Sequence, residues 1–248
     1  KEQIKSQYEK AKADYAIANE SKFQTALRHF VKTKNTAREV KSSLDFSAVL
    51  RQGGPLARSS PKLALQNLPK MLGAAFSEGR FRQSEAELRS RPNAPLYKSS
   101  KLYLSDIDGD ITKQEEAFRQ GYLANFLPVK GSNRAYVTFL NRMRADKFDA
   151  LVNNLPFKPT PDQLKAISHF INVFTGRGDL GSHRAAAETL STILWSPRLL
   201  VSRIQMLAGE PMLRRDAAGV RKVVAKEYAK LAGSVAVIYA LASMSKVD

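Results

Sequence analysis

The sequence contains no cysteine, almost no runs of alternating apolar and polar residues, and a shortage of acidic side chains. Without cysteine the chain has no disulfide framework, no thiolate metal site and no cysteine nucleophile. Half-buried strands alternate apolar and polar residues, and the best strand candidate, residues 101–105, is very short. Residues 1–41 contain neither proline nor glycine. These absences predict an all-α protein.

The 248 residues include 40 lysines and arginines but only 23 aspartates and glutamates, which gives a formal net charge of +17. The excess is +5 over residues 1–41, +5 over 42–100, +2 over 101–160 and +5 over 161–248. An excess of this size predicts attraction to a polyanion, either nucleic acid or an anionic membrane face. Because it is spread along the chain, it fits a surface that lies along a polyanion better than a single recognition helix.

The positions of proline, glycine and apolar residues predict an elongated assembly of helices. Residues 1–42 have apolar side chains at helical spacing and are interpreted as one long amphipathic helix. Residues 43–248 are interpreted as a helical domain. Within it, the glycine- and proline-rich segment 51–61 predicts a loop or hinge, and residues 91–103 predict a second irregular link. Pro61 is expected to open a helix, since proline is favoured in the first turn, and Thr160 before Pro161 is expected to cap another.

The C-terminal segment 231–245 is uncharged and apolar. A helix of this length spans about 22 Å, which is short of the roughly 30 Å hydrocarbon core of a bilayer. A buried core helix is the interpretation we favour, while a membrane-seeking helix and a packing surface for another subunit stay open. The residues predicted to make such membrane or subunit contacts are Leu231, Val235, Ile238, Tyr239 and Leu241.

The acidic run LSDIDGDIT contains the most suggestive chemical motif. Asp106 and Asp108 have the spacing that opens the active site of haloacid-dehalogenase-type phosphatases, but that chemistry needs buried parallel strands that the sequence lacks. The spacing of glycine and glutamate also fails the EF-hand pattern. A divalent-ion site formed by Asp106, Asp108 and Asp110 stays open. The favoured interpretation is a helix cap, with Asp110 or Thr112 at the start of the helix.

A glycine-rich segment, TGRGDLG (175–181), could cradle phosphate on backbone N–H groups, with Arg177 adding a charge-assisted contact. The favoured interpretation is a helix end followed by a tight turn. Aromatic residues beside arginines at 136–144 could stack on bases, although Tyr136, Leu140 and Met143 at helical spacing are more typical of a core. The candidate phosphate-binding residues are Arg142, Arg144, Arg177, Arg198, Arg203, Arg214 and Arg215.

Several phrases together resemble the C-terminal region of bacteriophage large polyvalent proteins and phage internal virion (ejection) proteins. They keep their order and cover most of residues 43–231, and Trp195 stands where phenylalanine would be expected before SPR. The phrases are SLDFSAVLRQG (43–53), RPNAPLYKSSKLYLSDIDG (91–109), EEAF (115–118), RAYVTFLNRMRADKFD (134–149), INVFTGRGDLG (171–181) and SPRLLVSR (196–203).

This resemblance implies a mostly helical structural protein, packaged in the capsid near the portal and expelled at infection to help form a DNA-translocation conduit across the host envelope. It implies sister subunits, other phage core or portal and tail proteins, and DNA bound without sequence preference as partners, with contact to the host inner membrane. No enzyme activity and no cofactor are expected. The alternative is a nonspecific DNA-binding module of an intracellular phage polyvalent protein.

Overall fold

The computed structural model describes residues 47–105, 127–180 and 197–244, with side chains described from residues 52, 131 and 197 onward. Of these residues 80% are helical and none lies in a strand, so the prediction of an all-α protein is confirmed. The long helix predicted over residues 1–42 lies outside the described residues. The helices are α1 (Ser47–Ser59), α2 (Pro61–Phe76), α3 (Glu78–Arg89), α4 (Ala94–Ser99), α5 (Leu127–Asn153), α6 (Pro161–Phe174), α7 (Pro197–Leu207), α8 (Glu210–Leu213) and α9 (Arg221–Met244), with a 3₁₀ turn at Arg215–Ala217.

The loop or hinge predicted over residues 51–61 is wrong, because α1 continues through most of this segment and only Ser60 separates it from α2. Gly53 lies so close to α5 that a Cβ atom would be 3.1 Å from Leu140 Cδ2. The glycine therefore serves close helix packing rather than a turn. Pro55 lies inside the helix and costs it one backbone donor, which tertiary packing outweighs here.

Two predicted helix starts are confirmed. Pro61 is the first residue of α2, which ends at Phe76. Thr160 caps α6: its hydroxyl accepts the backbone N–H of Gln163, and the Gln163 side chain accepts the backbone N–H of Thr160 at 2.9 Å. This reciprocal pair satisfies two of the amide donors that a helix start leaves open.

The segment 91–103 is less irregular than predicted, because α4 occupies its middle. Tyr97 of α4 is buried, and its ring packs edge-on against Phe148 at a centroid distance of 5.4 Å. Lys101 then adopts a positive φ of 62°, and the chain continues without helix through Ser105. Packing of Tyr97 against Phe148 of α5 thus fixes the position of a segment that is rich in proline and serine.

Helix α5 lies at the centre of the packing and contacts α1, α2, α3 and α6. Tyr136, Leu140 and Met143 are buried along it, which confirms their prediction as a core stripe. On the other side of the core, Phe174 of α6 lies 4.4 Å from the Phe170 ring and 4.9 Å from the Tyr228 ring. This aromatic cluster, Phe170, Phe174 and Tyr228, joins α6 to the first half of α9.

Candidate functional site

Two of the predicted phosphate-binding arginines lie inside the protein. Arg142 Nε donates to Asn67 Oδ1 at 2.9 Å, and its Nη1 donates to Glu87 at 2.9 Å. Arg144 is fully buried, and its Nε donates to Thr175 Oγ1 at 2.8 Å. Their guanidinium groups join helices to one another, so the prediction that Arg142 and Arg144 contact phosphate is corrected. Sequence spacing places them beside aromatic residues but does not show which other helices cover α5.

The glycine-rich segment forms a turn after α6, as the favoured interpretation predicts. Gly176 has a φ of 81°, and the N–H of Gly178 donates to the carbonyl of Arg198 at 3.2 Å. A Cβ at Gly178 would lie 2.4 Å from the backbone nitrogen of Ser202, so the turn lies directly on α7. Arg177 stacks over the Tyr103 ring at 3.8 Å. This turn holds α6 and α7 together.

The remaining candidate arginines differ in exposure. Arg198 and Arg203 of α7 are half-buried, and burial, with the nearby charge of Arg58, lowers the pKa of Arg203. Arg214 is also half-buried and forms ion pairs with Glu210 and Asp216. Among the seven candidates, Arg215 is the exposed one.

The predicted metal residues Asp106, Asp108 and Asp110 lie outside the described residues. In the part of the chain that the structure describes, no group of three or more histidine, aspartate or glutamate side chains could hold a metal ion. The described histidine, His169, hydrogen-bonds Glu210, with 2.7 Å between His169 Nε2 and Glu210 Oε2. Arg142 hydrogen-bonds Glu87 and lowers the pKa of that carboxyl group.

Acidic side chains are mostly used in contacts between helices. Asp149 accepts hydrogen bonds from Arg91 at 3.1 Å, from Asn93 at 2.9 Å and from the Tyr97 hydroxyl at 2.7 Å. Asp146 pairs with the other nitrogen of Arg91 at 2.6 Å. Burial, together with the hydrogen bond to Asp149, raises the pKa of Tyr97. This cluster connects α4 and the turn before it to α5.

Replacing Asp149 by alanine should lower the free energy of unfolding by about 2–3 kcal/mol, because the buried Tyr97 hydroxyl loses its acceptor. Chemical denaturation followed by circular dichroism measures the loss. Asp162→Ala is the matched control: its carboxylate pairs with Lys165 at the surface, and its removal should change stability by less than about 0.5 kcal/mol. Equal losses in the two variants would contradict this assignment of Asp149.

A second internal pair holds α9 against the body. Lys147 of α5 and Glu227 of α9 are both buried, and their charged atoms lie 2.5 Å apart. The Ser60 hydroxyl accepts a further hydrogen bond from Lys147 at 2.7 Å, and Lys230 also pairs with Glu227 at 2.7 Å. Burial lowers the pKa of Lys147. The first half of α9 is thus fixed by a charge pair as well as by apolar packing.

The surface that results is basic. Among the residues whose side chains are described, three acidic residues are exposed (Glu78, Asp162 and Asp179), against fifteen basic ones. Among these residues the excess of positive charge therefore lies on the surface rather than in the interior. The exposed basic residues, which we call the basic surface, are Arg58, Lys62, Lys70, Arg80, Arg82, Arg89, Lys98, Lys101, Lys158, Lys165, Arg215, Arg221, Lys222, Lys226 and Lys230.

The last part of α9 is exposed. Leu231 still packs against the core, whereas the four later candidates on this helix are half or more exposed: Val235, Ile238, Tyr239 and Leu241. The favoured prediction of a buried core helix is therefore wrong for the described residues. No helix among the described residues is long and apolar enough to cross a membrane.

Fold and surface together define a basic, all-α protein with an exposed apolar helix end. Comparisons of the chain with models of protein families, with curated proteins and with solved structures find no match in any of the three.

Proposed function

We propose that the chain is a structural phage internal virion (ejection) protein, packaged in the capsid near the portal and expelled at infection to help form a DNA-translocation conduit across the host envelope. The observation that carries this proposal is the unequal exposure of charge: fifteen exposed basic side chains against three acidic ones among the described residues. The resemblance of the sequence phrases to ejection proteins supplies the biological setting.

The distribution of the basic surface suits this role physically. The inner surface of a conduit for DNA has to attract phosphates weakly and without sequence preference, because strong contacts to bases would stop the movement of the DNA. Lysines and arginines spread over several helices give contacts of that kind, and such contacts weaken as salt rises. Arg142 and Arg144, by contrast, stabilise the body that carries this surface.

The exposed end of α9 supports contacts beyond the chain itself. A helix that is apolar on all sides is normally buried in a protein or a membrane. In the proposed function this helix end contacts sister subunits, other phage core, portal or tail proteins, or the host inner membrane.

Replacing Lys222 and Lys226 of α9 by glutamine should weaken the binding of double-stranded DNA and make it less dependent on salt. If both lysines lie on phosphates, the slope of log K against log salt concentration falls by about 1.8, since each contact contributes about 0.9. Fluorescence anisotropy with two DNA duplexes of unrelated sequence measures this slope.

The matched control replaces the same two lysines by arginine. Because the charge is kept, affinity and slope should stay close to those of the parent protein. Absence of DNA binding by the parent protein at low salt, or a strong preference for one duplex, would overturn the DNA-contacting part of the proposal.

Mass spectrometry of purified phage particles tests the location. We expect the chain among the virion proteins, and its absence would overturn the ejection proposal. The second candidate, a nonspecific DNA-binding module of an intracellular phage polyvalent protein, rests on the same basic surface. It predicts DNA binding by a chain that is synthesised in the infected cell but is not packaged.

A further inference from the structure

A second apolar surface lies on α2, far along the chain from α9. Its members occupy one face of the helix, because they are separated by three, four and four residues. They are exposed by between 36% and 88%. We call this surface the α2 stripe, and its members are Leu65, Leu68, Leu72 and Phe76.

The exposed end of α9, residues 232–244, is here called the α9 tip. It contains no charged residue. At Gly233 a Cβ atom would have no neighbour within 4 Å among the described residues. The large apolar side chains of the tip are half or more exposed: Val235 50%, Val237 59%, Ile238 51%, Tyr239 75%, Leu241 62% and Met244 73%.

The α9 tip continues a helix face that already serves as an interface. Val224 is buried on that face, and Leu231 packs against the core seven residues later. Val235 and Ile238 follow with spacings of four and three residues, so they extend the same face past the body. The first part of this face packs α9 against its own chain. The second part, in the α9 tip, is equally apolar, but the described residues leave it uncovered.

We propose that the α9 tip of one copy of the chain packs against the α2 stripe of a second copy. The two surfaces match in length, since twelve residues of α2 and thirteen of the tip each span about 18–20 Å of helix. Both contact faces are uncharged, so no charge loses its water.

A second copy explains both surfaces at once. A lipid leaflet that takes up the α9 tip does not by itself account for the α2 stripe, whereas a contact between copies covers one surface with the other. Each chain carries one tip and one stripe, so the contact is head-to-tail. Contacts of this type close into rings, of which a reciprocal dimer is the smallest, or continue as filaments.

This contact deepens the sister-subunit assembly of the proposed function and rests on it for its biological role. Its physical basis is separate from the DNA contacts, because no residue of the tip or of the stripe belongs to the basic surface. Assembly and DNA binding can therefore fail independently in experiments.

Sedimentation velocity on the parent protein and two variants tests the inference. The parent should form dimers or larger species as concentration rises. Leu72→Glu, in the stripe, and Ile238→Glu, in the tip, should each shift the protein to monomer. An equimolar mixture of the two variants should form dimers and nothing larger, because it contains one intact tip and one intact stripe per pair.

Ile204→Glu is the matched control, since Ile204 is an apolar residue of α7 that is similarly exposed, at 58%. It should assemble like the parent protein. Thermal unfolding followed by circular dichroism checks that all three variants are folded. A parent protein that stays monomeric would overturn the inference. In that case the apolar surfaces are either covered within the chain or available to a membrane, and binding to anionic liposomes distinguishes these two outcomes. Continued assembly of Leu72→Glu, or loss of assembly in Ile204→Glu, would overturn it as well.

The DNA-binding assay separates this inference from the proposed function. Ile238→Glu should bind DNA with the salt dependence of the parent protein. Assembly without DNA binding would remove the DNA-contacting role and keep the head-to-tail contact. DNA binding by a parent protein that never assembles would keep that role and remove the contact.

Discussion

Replacing Glu227 by alanine should lower the free energy of unfolding by about 3–5 kcal/mol. Glu227 is 2% exposed and pairs with Lys147, whose side chain is 5% exposed. The truncation leaves the Lys147 ammonium buried with the Ser60 hydroxyl as its remaining described hydrogen-bond acceptor. Loss of the pair also loosens the attachment of α9 to α5. Urea denaturation followed by circular dichroism measures the change.

Two further variants separate the charge from the space it fills. Glu227→Gln keeps a carbonyl oxygen as an acceptor, so it should lose less stability than the alanine variant. The double variant Lys147→Met with Glu227→Leu removes both charges and fills the volume with apolar groups, and it should recover most of the loss. A double variant as unstable as Glu227→Ala would show that the packing of α9, rather than an unpaired charge, accounts for the effect.

The effect of Glu227→Ala should depend on pH. Burial lowers the pKa of Lys147 in the folded protein below its unfolded value. Between these two pKa values the unfolded chain binds more protons, so stability rises with pH across that interval. Without the carboxylate of Glu227 the folded pKa falls further, and the interval extends toward neutral pH. The stability deficit of the variant should therefore shrink as the pH is raised from neutral toward the pKa of an unfolded lysine.

Local sequence signals predicted the starts of helices well. Pro61 and Thr160 act on their own first turns, so the sequence near each of them contains the information that is needed. The segment 51–61 was mispredicted because its outcome depends on a distant partner. Gly53 lies against Leu140 of α5, and this close approach favours helix where glycine and proline alone favour a loop.

The candidate site shows the same division between local and distant information. The excess of positive charge was evident from the sequence, but which residues display it depends on pairs such as Arg142 with Glu87 and Lys147 with Glu227. These partners are separated by 55 and 80 residues. Because acidic residues are drawn into such pairs, the surface formed by the described residues is more basic than the composition alone indicates.

The α2 stripe has a signal in the sequence itself. The spacing of Leu65, Leu68, Leu72 and Phe76 places them on one helix face. Periodicity alone does not distinguish a face that is covered by the core from one that is not. That distinction comes from tertiary packing, in which α2 uses residues such as Met71 and Ala74 on its other face to contact the core.

Replacing Phe174 by alanine should lower the free energy of unfolding by about 3–5 kcal/mol. Phe174 is fully buried between Phe170 of α6 and Tyr228 of α9, so the truncation opens a cavity where α9 joins the body. Phe174→Leu retains much of the volume and should cost less. Thermal and urea denaturation followed by near-ultraviolet circular dichroism reports both stability and aromatic packing.

Two variants of α9 show whether this loss belongs to the junction or to the whole helix. Ile238→Ala removes an exposed side chain of the α9 tip and should change the stability of the monomer by less than about 0.5 kcal/mol. Tyr228→Phe keeps the ring and removes a buried hydroxyl that has no hydrogen-bond partner among the described residues, so it should be neutral or stabilising. A large loss in Ile238→Ala at monomer concentrations would show that the tip packs on its own chain, which would contradict the head-to-tail contact. A loss confined to Phe174→Ala assigns stability to the first half of α9 and leaves the tip available for assembly.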